Sequence, residues 1–297
     1  MKVKIDNLQT ETRNTKTMEL DTLSVKDFLQ IMNEEDQKVP LAVKEALPEI
    51  ELAVKAIIKA LKNNGRLIFI GAGTSGRLGV IDAAECMPTF GTTDEVIGLI
   101  AGGTKAFIKA KEGAEDSIEL GVEDLKSVNT GVNDIIVGIA ASGRTPYVIG
   151  ALDYARSIGA NTVSLSCNKN AEMSSHADIA IEVNNGPEVL TGSTRLKSGT
   201  SQKLILNMLS TASMVGIGKV YGNLMVDVKA TNLKLVERSK RIIMMATECD
   251  YQTAEKYYNL SGEYPKAAIV MILTGCNCEE ALKRLSKSEG FVRQAIK

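Results

Sequence analysis

Histidine occurs once in the 297 residues, at His176, and the five cysteines (Cys86, Cys167, Cys249, Cys276 and Cys278) are mostly far apart. No set of Cys and His therefore has the spacing that a zinc site requires. An odd number of scattered cysteines also argues against a disulfide framework, and they read as reduced thiols in a cytosolic protein. Charge of one sign is not in excess: 35 Lys and Arg face 36 Asp and Glu, a net charge of −1. Without a basic surplus there is no electrostatic footprint for nucleic acid or an anionic membrane, so any anionic ligand has to be held by local groups. No apolar run approaches the roughly 20 residues that a bilayer requires, and the opening MKVKIDNLQTETRN lacks the apolar core of a signal peptide. The expectation is a cytoplasmic protein with no membrane and no nucleic-acid partner. At 44% apolar residues the chain can bury a sizeable core, as one large domain with a smaller unit.

What is present is alternation. Short β-rich runs, RLIFIG (66–71), EVIGLIAG (95–102), DIIVGIAA (134–141), NTVSLSC (161–167) and DIAIEV (178–183), are separated by longer stretches of helical spacing. Strand, helix, strand in repetition predicts an α/β fold, a three-layer parallel sheet with helices on both faces. The first 62 residues differ, because DTLSVKDFLQIMNEED and PLAVKEALPEIELAVKAIIKAL read as two helices with no strand between them. A long helix is expected over about 195–218. Beyond about 239 only short helices follow, with Glu279 and Lys283, and Glu280 and Arg284, as i,i+4 pairs. The expected parts are an N-terminal helical segment (1–62), a sheet domain (63–238) and a small helical subdomain (239–297). Met244 and Met245 in IIMMAT read as core filling.

The most informative stretch is LIFIGAGTSGRLGV, where a strand runs into Gly71 to Gly76 with the spacing G-x-G-x-x-G. A dinucleotide site also places an acid at the C-terminal end of the second strand. Here that end reads IAGG, and Asp94 and Glu95 precede the strand, so NAD is not the expected ligand. What remains is a strand, a Gly-rich turn with Thr74 and Ser75, and a helix that begins beside them, aiming amides and the positive end of a dipole at an anion. The glycines alone could simply make a tight turn. The pattern recurs, however: Ser142-Gly143-Arg144 in GIAASGRTPYV echoes Ser75-Gly76-Arg77, with Thr145 and Pro146 opening the next helix. Two such turns on one sheet edge suit the ends of a sugar phosphate. The candidate contacts are Gly73, Thr74 and Ser75 on the first turn, and Ser142, Gly143, Arg144 and Thr145 on the second. Arg195 and Lys197 either add cationic contacts to a phosphate or carboxylate, or are solvated charges at a helix end.

GAGTSGRLGVIDAAECMPTFGT, LIAGG, KEGAEDS, GIAASGRTPYV, GPEVLTGSTRLKSGTSQKLILNMLST and GNLMVDVKATN resemble the N-acetylmuramic acid 6-phosphate etherase family, part of the sugar isomerase (SIS) fold group. The likeness runs from TETRN at residue 10, where the family usually reads TEQRN, to FVRQAI at the end. The resemblance implies a lyase that splits the ether between C3 of the sugar and D-lactate by elimination and water addition. One group must remove the C2 proton and another must protonate the departing oxygen. Two carboxyls of tuned pKa suffice, so no cofactor is expected.

Carried over from the family motifs, Glu85 in DAAEC is the expected proton donor to lactate, and Glu115 in KEGAEDS the second acid–base residue, at C2. Both read as helical, with Glu112 and Asp116 flanking Glu115, whereas His176, just before DIAIEV, reads as a loop or strand-start residue and not as a catalyst. If the first helix begins at Thr74 or Ser75 and stops at Met87-Pro88, Glu85 lies roughly 15 Å from the turn. That exceeds the reach of a hexose phosphate anchored there. Either the phosphate sits on the second turn, or a second chain delivers Glu85, and the resemblance favours the latter: a homodimer with its site near the interface. Two other readings on the same fold are a non-catalytic sugar-phosphate sensor, as in the glucokinase regulatory protein, and an aldose-ketose isomerase.

Overall fold

Among the described residues three α-helices precede the first strand: Val25–Asp36 (α1), Val39–Glu45 (α2) and Leu47–Lys62 (α3). The stretch expected as one second helix is broken at Ala46 because Pro48, in the first turn of α3, has no N–H to continue an earlier helix. The alternation then unfolds as Leu67–Gly71 (β1), Gly73–Phe90 (α4), Val96–Ile100 (β2), Thr104–Ile108 (α5), Ile118–Ser127 (α6), Ile135–Ala140 (β3), Pro146–Ser157 (α7), Asn161–Ser166 (β4), Ile179–Glu182 (β5) and Lys197–Gly216 (α8). Two short strands, Val220–Tyr221 (β6) and Leu224–Met225 (β7), precede five helices: Leu233–Thr247 (α9), Tyr251–Leu260 (α10), Pro265–Thr274 (α11), Cys278–Lys287 (α12) and Val292–Ala295 (α13). This computed structural model describes residues 8–109 and 111–297. The first seven residues, on which the expectation about a signal peptide partly rests, and residue 110 lie outside the described residues. No helix among them is long and apolar enough to cross a membrane.

The described residues group into two compact units, one of the chain up to Ala84 with Glu95–Ser210, the other of Glu85–Asp94 with Thr211–Lys297. In the first, five parallel strands take the order β2-β1-β3-β4-β5. The central strands β1 and β3 are buried at every residue, as expected of a parallel sheet with both faces covered. Ile68, Ile70 and Ile136 meet Leu125 of α6 and Val148, Ala151 and Leu152 of α7 in one apolar cluster. Alternate residues point the other way: Gly79 of α4 lies against Phe69 and Ile139, and α3 packs on β1, β3 and β5. The fold class is thus the expected α/β parallel sheet flanked by helices.

The second unit is built on α9 to α13, around Ile243, Tyr258, Ala268 and Val270. Met244 packs on this core, while Met245, expected to do the same, is 61% exposed. Helix α9 is capped by the Asn232 side chain, which accepts from the Leu235 amide, and Arg284 meets Glu280 at 3.1 Å as the i,i+4 spacing implied. Buried Lys266 donates to Asp227 Oδ2 at 2.6 Å and to the Gly218 carbonyl at 2.9 Å, and Tyr264 donates to Asp227 Oδ1 at 2.9 Å. Burial pushes the Lys266 ammonium below its ordinary range against the pull of Asp227. The β6–β7 hairpin was not anticipated, although its two-residue Gly222-Asn223 turn is a hairpin signal.

Candidate active site

The connections from β1 and β3 leave in opposite directions, toward β2 and toward β4, and this reversal opens a crevice at their carboxyl ends. Both Ser-Gly-Arg turns emerge there, since Gly71 pairs with Ile139 in register. The first turn is tight: Gly73 opens α4 at φ 54°, and Gly76 seats the helix on the strand end. A Cβ on Gly76 would stand 2.4 Å from the Gly71 carbonyl oxygen and 2.8 Å from Ile100 Cγ1, so glycine alone fits. The opening amides of α4 have no acceptor within the helix, and they present donors and the positive dipole end to the crevice.

Ser75 departs from the expectation that its hydroxyl meets the ligand. It is buried and donates from Oγ to Gln202 Oε1 of α8 at 2.9 Å, which leaves its backbone amide as its contribution. Thr74 is half-buried, with Cγ2 3.5 Å from where a Cβ on Gly199 would stand, so the first turn of α8 comes beside the same turn. Further along α4, buried Asp82 accepts from Asn207 Nδ2 of α8, and burial pushes its carboxyl up. Arg77 donates to the Ala106 and Phe107 carbonyls, each at 2.8 Å, and so pins α5.

On the second turn Gly143 has φ 71°, and a Cβ there would meet Ala171 Cβ at 2.5 Å. The Arg144 amide donates to Ser142 Oγ at 3.3 Å. Thr145 occupies the N-cap of α7 without a side-chain capping bond, which leaves its hydroxyl for a ligand, and Pro146 follows in the first turn as expected. Asn168, just past β4, was missed by sequence reasoning: its Nδ2 donates to the carbonyls of Ala141 at 3.0 Å and Ser142 at 3.4 Å and braces this turn.

The glutamates fall in different local structures. Glu85 lies on α4, exposed, and the helix runs past Met87 and Pro88 to Phe90 instead of stopping there. Pro88 lacks the N–H that would bond the Ala84 carbonyl, and the boundary between the two units falls at Ala84 and Glu85. Glu115 is not helical as expected. It sits on a single 3-10 turn, Ala114–Asp116, because Gly113 before it is left-handed at φ 73° and Ser117 after it is extended and caps α6. Glu115 lines a cavity of about 170 Å³ with Glu112, Lys111, Arg77 and Gly73.

Arg195 is exposed in the loop ahead of α8. Lys197 is no solvated helix-end charge: it is 1% exposed, with Nζ 2.9 Å from Glu35 Oε2 of α1 and its amide donating to Glu188 Oε2 at 2.9 Å. Burial alone would raise the Glu35 carboxyl, but the Lys38 and Lys197 ammonium groups outweigh it and hold it at about 2. His176 ends a 3-10 turn ahead of β5 and sits 2.7 Å from Asp153 through Nδ1. After β2 come Ala101, Gly102 and Gly103, so no acid stands where a ribose would need one. No disulfide joins any two of the five cysteines.

Residues 49–156 match the family described as Glucokinase regulatory protein N-terminal SIS domain, and residues 124–212 match the SIS domain. The chain is 65% identical over 293 residues to the N-acetylmuramic acid 6-phosphate etherase of Listeria monocytogenes serotype 4b, covering 98% of this chain and 99% of that one. It is 63% identical to N-acetylmuramic acid 6-phosphate etherase 2 of Lactiplantibacillus plantarum, with the same coverage. In fold it is similar to a phosphoheptose isomerase from Francisella tularensis, with a TM-score of 0.53 at 17% identity over 65% of this chain and all of that one.

Proposed function

Because the chain belongs to the N-acetylmuramic acid 6-phosphate etherase family, we propose that its reaction runs at the β1/β3 crevice, with Glu115 and Glu85 as its two proton carriers. The protein is a carbon–oxygen lyase. It cleaves the D-lactyl ether of N-acetylmuramic acid 6-phosphate to N-acetylglucosamine 6-phosphate and D-lactate, in amino-sugar catabolism and cell-wall recycling. Identity of 60–65% to etherases over nearly the whole chain favours this chemistry over the isomerase and sensor readings. The observation that carries the placement is that Glu115 and Gly73 line one cavity at the sheet edge.

The phosphate is held by the amides that open α4, with the Ser142 and Thr145 hydroxyls of the turn ahead of α7. In the open-chain sugar, Glu115 takes the C2 proton, which the neighbouring aldehyde acidifies. The C3–O bond then breaks, a C2=C3 double bond forms, and Glu85 protonates the departing lactate oxygen. Water adds its hydroxyl to C3 and a proton returns to C2. Incubating the purified protein with N-acetylmuramic acid 6-phosphate is expected to release D-lactate stoichiometrically. Absence of lactate from folded protein overturns the reading.

A homodimer is part of the same proposal. At about 170 Å³ the cavity beside Glu115 is below the roughly 300–1,000 Å³ usual for a ligand site, and both glutamates are exposed in the single chain. A general acid works best when burial raises its pKa, which a second copy closing over the crevice would provide. Mixed dimers of a Glu85→Gln chain and a Gly73→Val chain, each inactive alone, are then expected to recover up to about half of the wild-type activity per heterodimer. No recovery after demonstrated subunit exchange rejects shared sites. A cytoplasmic location fits five cysteines that form no disulfide with one another.

A further inference from the structure

The TETRN segment, Thr10 to Asn14, has no task in the chemistry so far, yet it is tied to the ligand edge. The Thr10 amide donates to Asn168 Oδ1 at 3.3 Å, and Asn168 Nδ2, which braces Ala141 and Ser142, also donates to Thr10 Oγ1 at 3.1 Å. Arg13 is three residues on, within about 11 Å of Thr10 by chain length. Asn14, buried, donates to the Pro187 carbonyl at 3.5 Å and accepts from the Lys16 amide at 3.0 Å.

Beside this segment lies a cavity of about 270 Å³ whose wall includes four cations, Arg13, Lys16, Lys38 and Lys197, and one carboxylate, Glu35. Lys38 and Lys197 share Glu35, while Arg13 and Lys16 form no ion pair among the described residues. The cavity thus carries positive charge without a counter-ion. Asn185 stands in the same wall. Its Nδ2 donates to Ser201 Oγ at 2.8 Å, an orientation fixed because that hydroxyl itself donates to the Ser198 carbonyl. Asn185 Oδ1 is left as a buried acceptor with no donor.

We propose that this cavity is the subsite for the lactyl carboxylate, with Arg13 as the residue that recognises it. The proposal rests on the etherase reading. The substrate carries two anions, and the helix N-termini of the crevice account for the phosphate. The second anion needs cations of its own, and the planar Arg13 fork matches a carboxylate bidentately. At about 270 Å³ the cavity has room for a three-carbon acid. When the ether breaks, lactate gains a hydroxyl that can donate to Asn185 Oδ1, so the same groups retain the leaving acid.

The test compares ligands with and without the lactyl arm in Arg13→Gln and Lys16→Gln. Both residues are exposed, so neither change endangers the fold, which thermal unfolding verifies. In Arg13→Gln the KM for N-acetylmuramic acid 6-phosphate is expected to rise about 10-fold or more, with the inhibition constant of N-acetylglucosamine 6-phosphate within about two-fold of wild type. Inhibition by D-lactate is lost, Arg13→Lys recovers part of the KM, and Lys16→Gln shifts it in the same direction. If both constants rise together, the cavity serves the phosphate and the proposal is wrong; if neither moves, there is no subsite. A wild-type protein that releases no lactate fails the etherase reading itself, whereas an active wild type matched by Arg13→Gln fails the subsite alone.

Discussion

Glu85→Gln is expected to release D-lactate at least about 100-fold more slowly than the wild type while still exchanging the C2 proton of the substrate with deuterated solvent. The amide cannot give a proton to the lactate oxygen, so the C3–O bond holds, but the carboxylate at C2 is untouched. Glu115→Gln is expected to lose both lactate release and exchange, because the first proton is never removed. The two variants therefore separate the steps. Neither side chain is buried in the single chain, so the substitutions leave the fold intact, and a drop in rate reports chemistry. Near wild-type lactate release in both variants rejects the pair as proton carriers, and the reverse pattern of exchange swaps their roles.

The sheet and the two Ser-Gly-Arg turns at its edge were legible because their causes are local. The central strands β1 and β3 are mostly aliphatic runs, and Gly71, Gly76 and Gly143 stand where a Cβ would collide with backbone or a neighbouring side chain. Proline was less predictable: Pro48 marks a break between α2 and α3, yet Pro88 is carried inside the last turn of α4. The short turn holding Glu115 was hidden because charged residues at helical spacing look alike whether or not a left-handed glycine interrupts them. What sequence could not supply were partners distant in the chain. Ser75 and Gln202 are 127 residues apart, and Thr10 and Asn168 are 158 apart. Nothing local tells a serine whether its hydroxyl faces a ligand or a neighbouring helix. Lys197 illustrates the same point, since both readings of it assumed contact with a ligand or with water, and its counter-ion lies 162 residues away on α1.

That buried pair carries the largest expected effect on stability. Lys197 is 1% exposed and Glu35 is 2% exposed, and among the described residues Lys38 is the only other cation bonded to the Glu35 carboxylate. Glu35→Gln keeps the shape and one hydrogen bond but leaves the Lys197 ammonium buried without a counter-ion, at an expected cost of about 3–5 kcal/mol. Lys197→Met is expected to cost less, because Lys38 still neutralises the carboxylate it leaves behind. Replacing both at once, with Glu35→Leu and Lys197→Met, removes the two desolvated charges together and is expected to recover most of the loss. The pH dependence has a definite sign. Glu35 is held at about 2 against an ordinary 4.5, so its contribution is fully present above about pH 4.5 and is lost as the pH falls toward 2. A depression of that size corresponds to about 3 kcal/mol, in line with the cost of the substitution. Urea unfolding from pH 7 down to pH 3 is therefore expected to show the gap between wild type and Glu35→Gln narrowing below about pH 4.5. A gap that stays constant over that range, or a Glu35→Gln protein as stable as the wild type at pH 7, shows that the pair does not hold α1 against the first turn of α8.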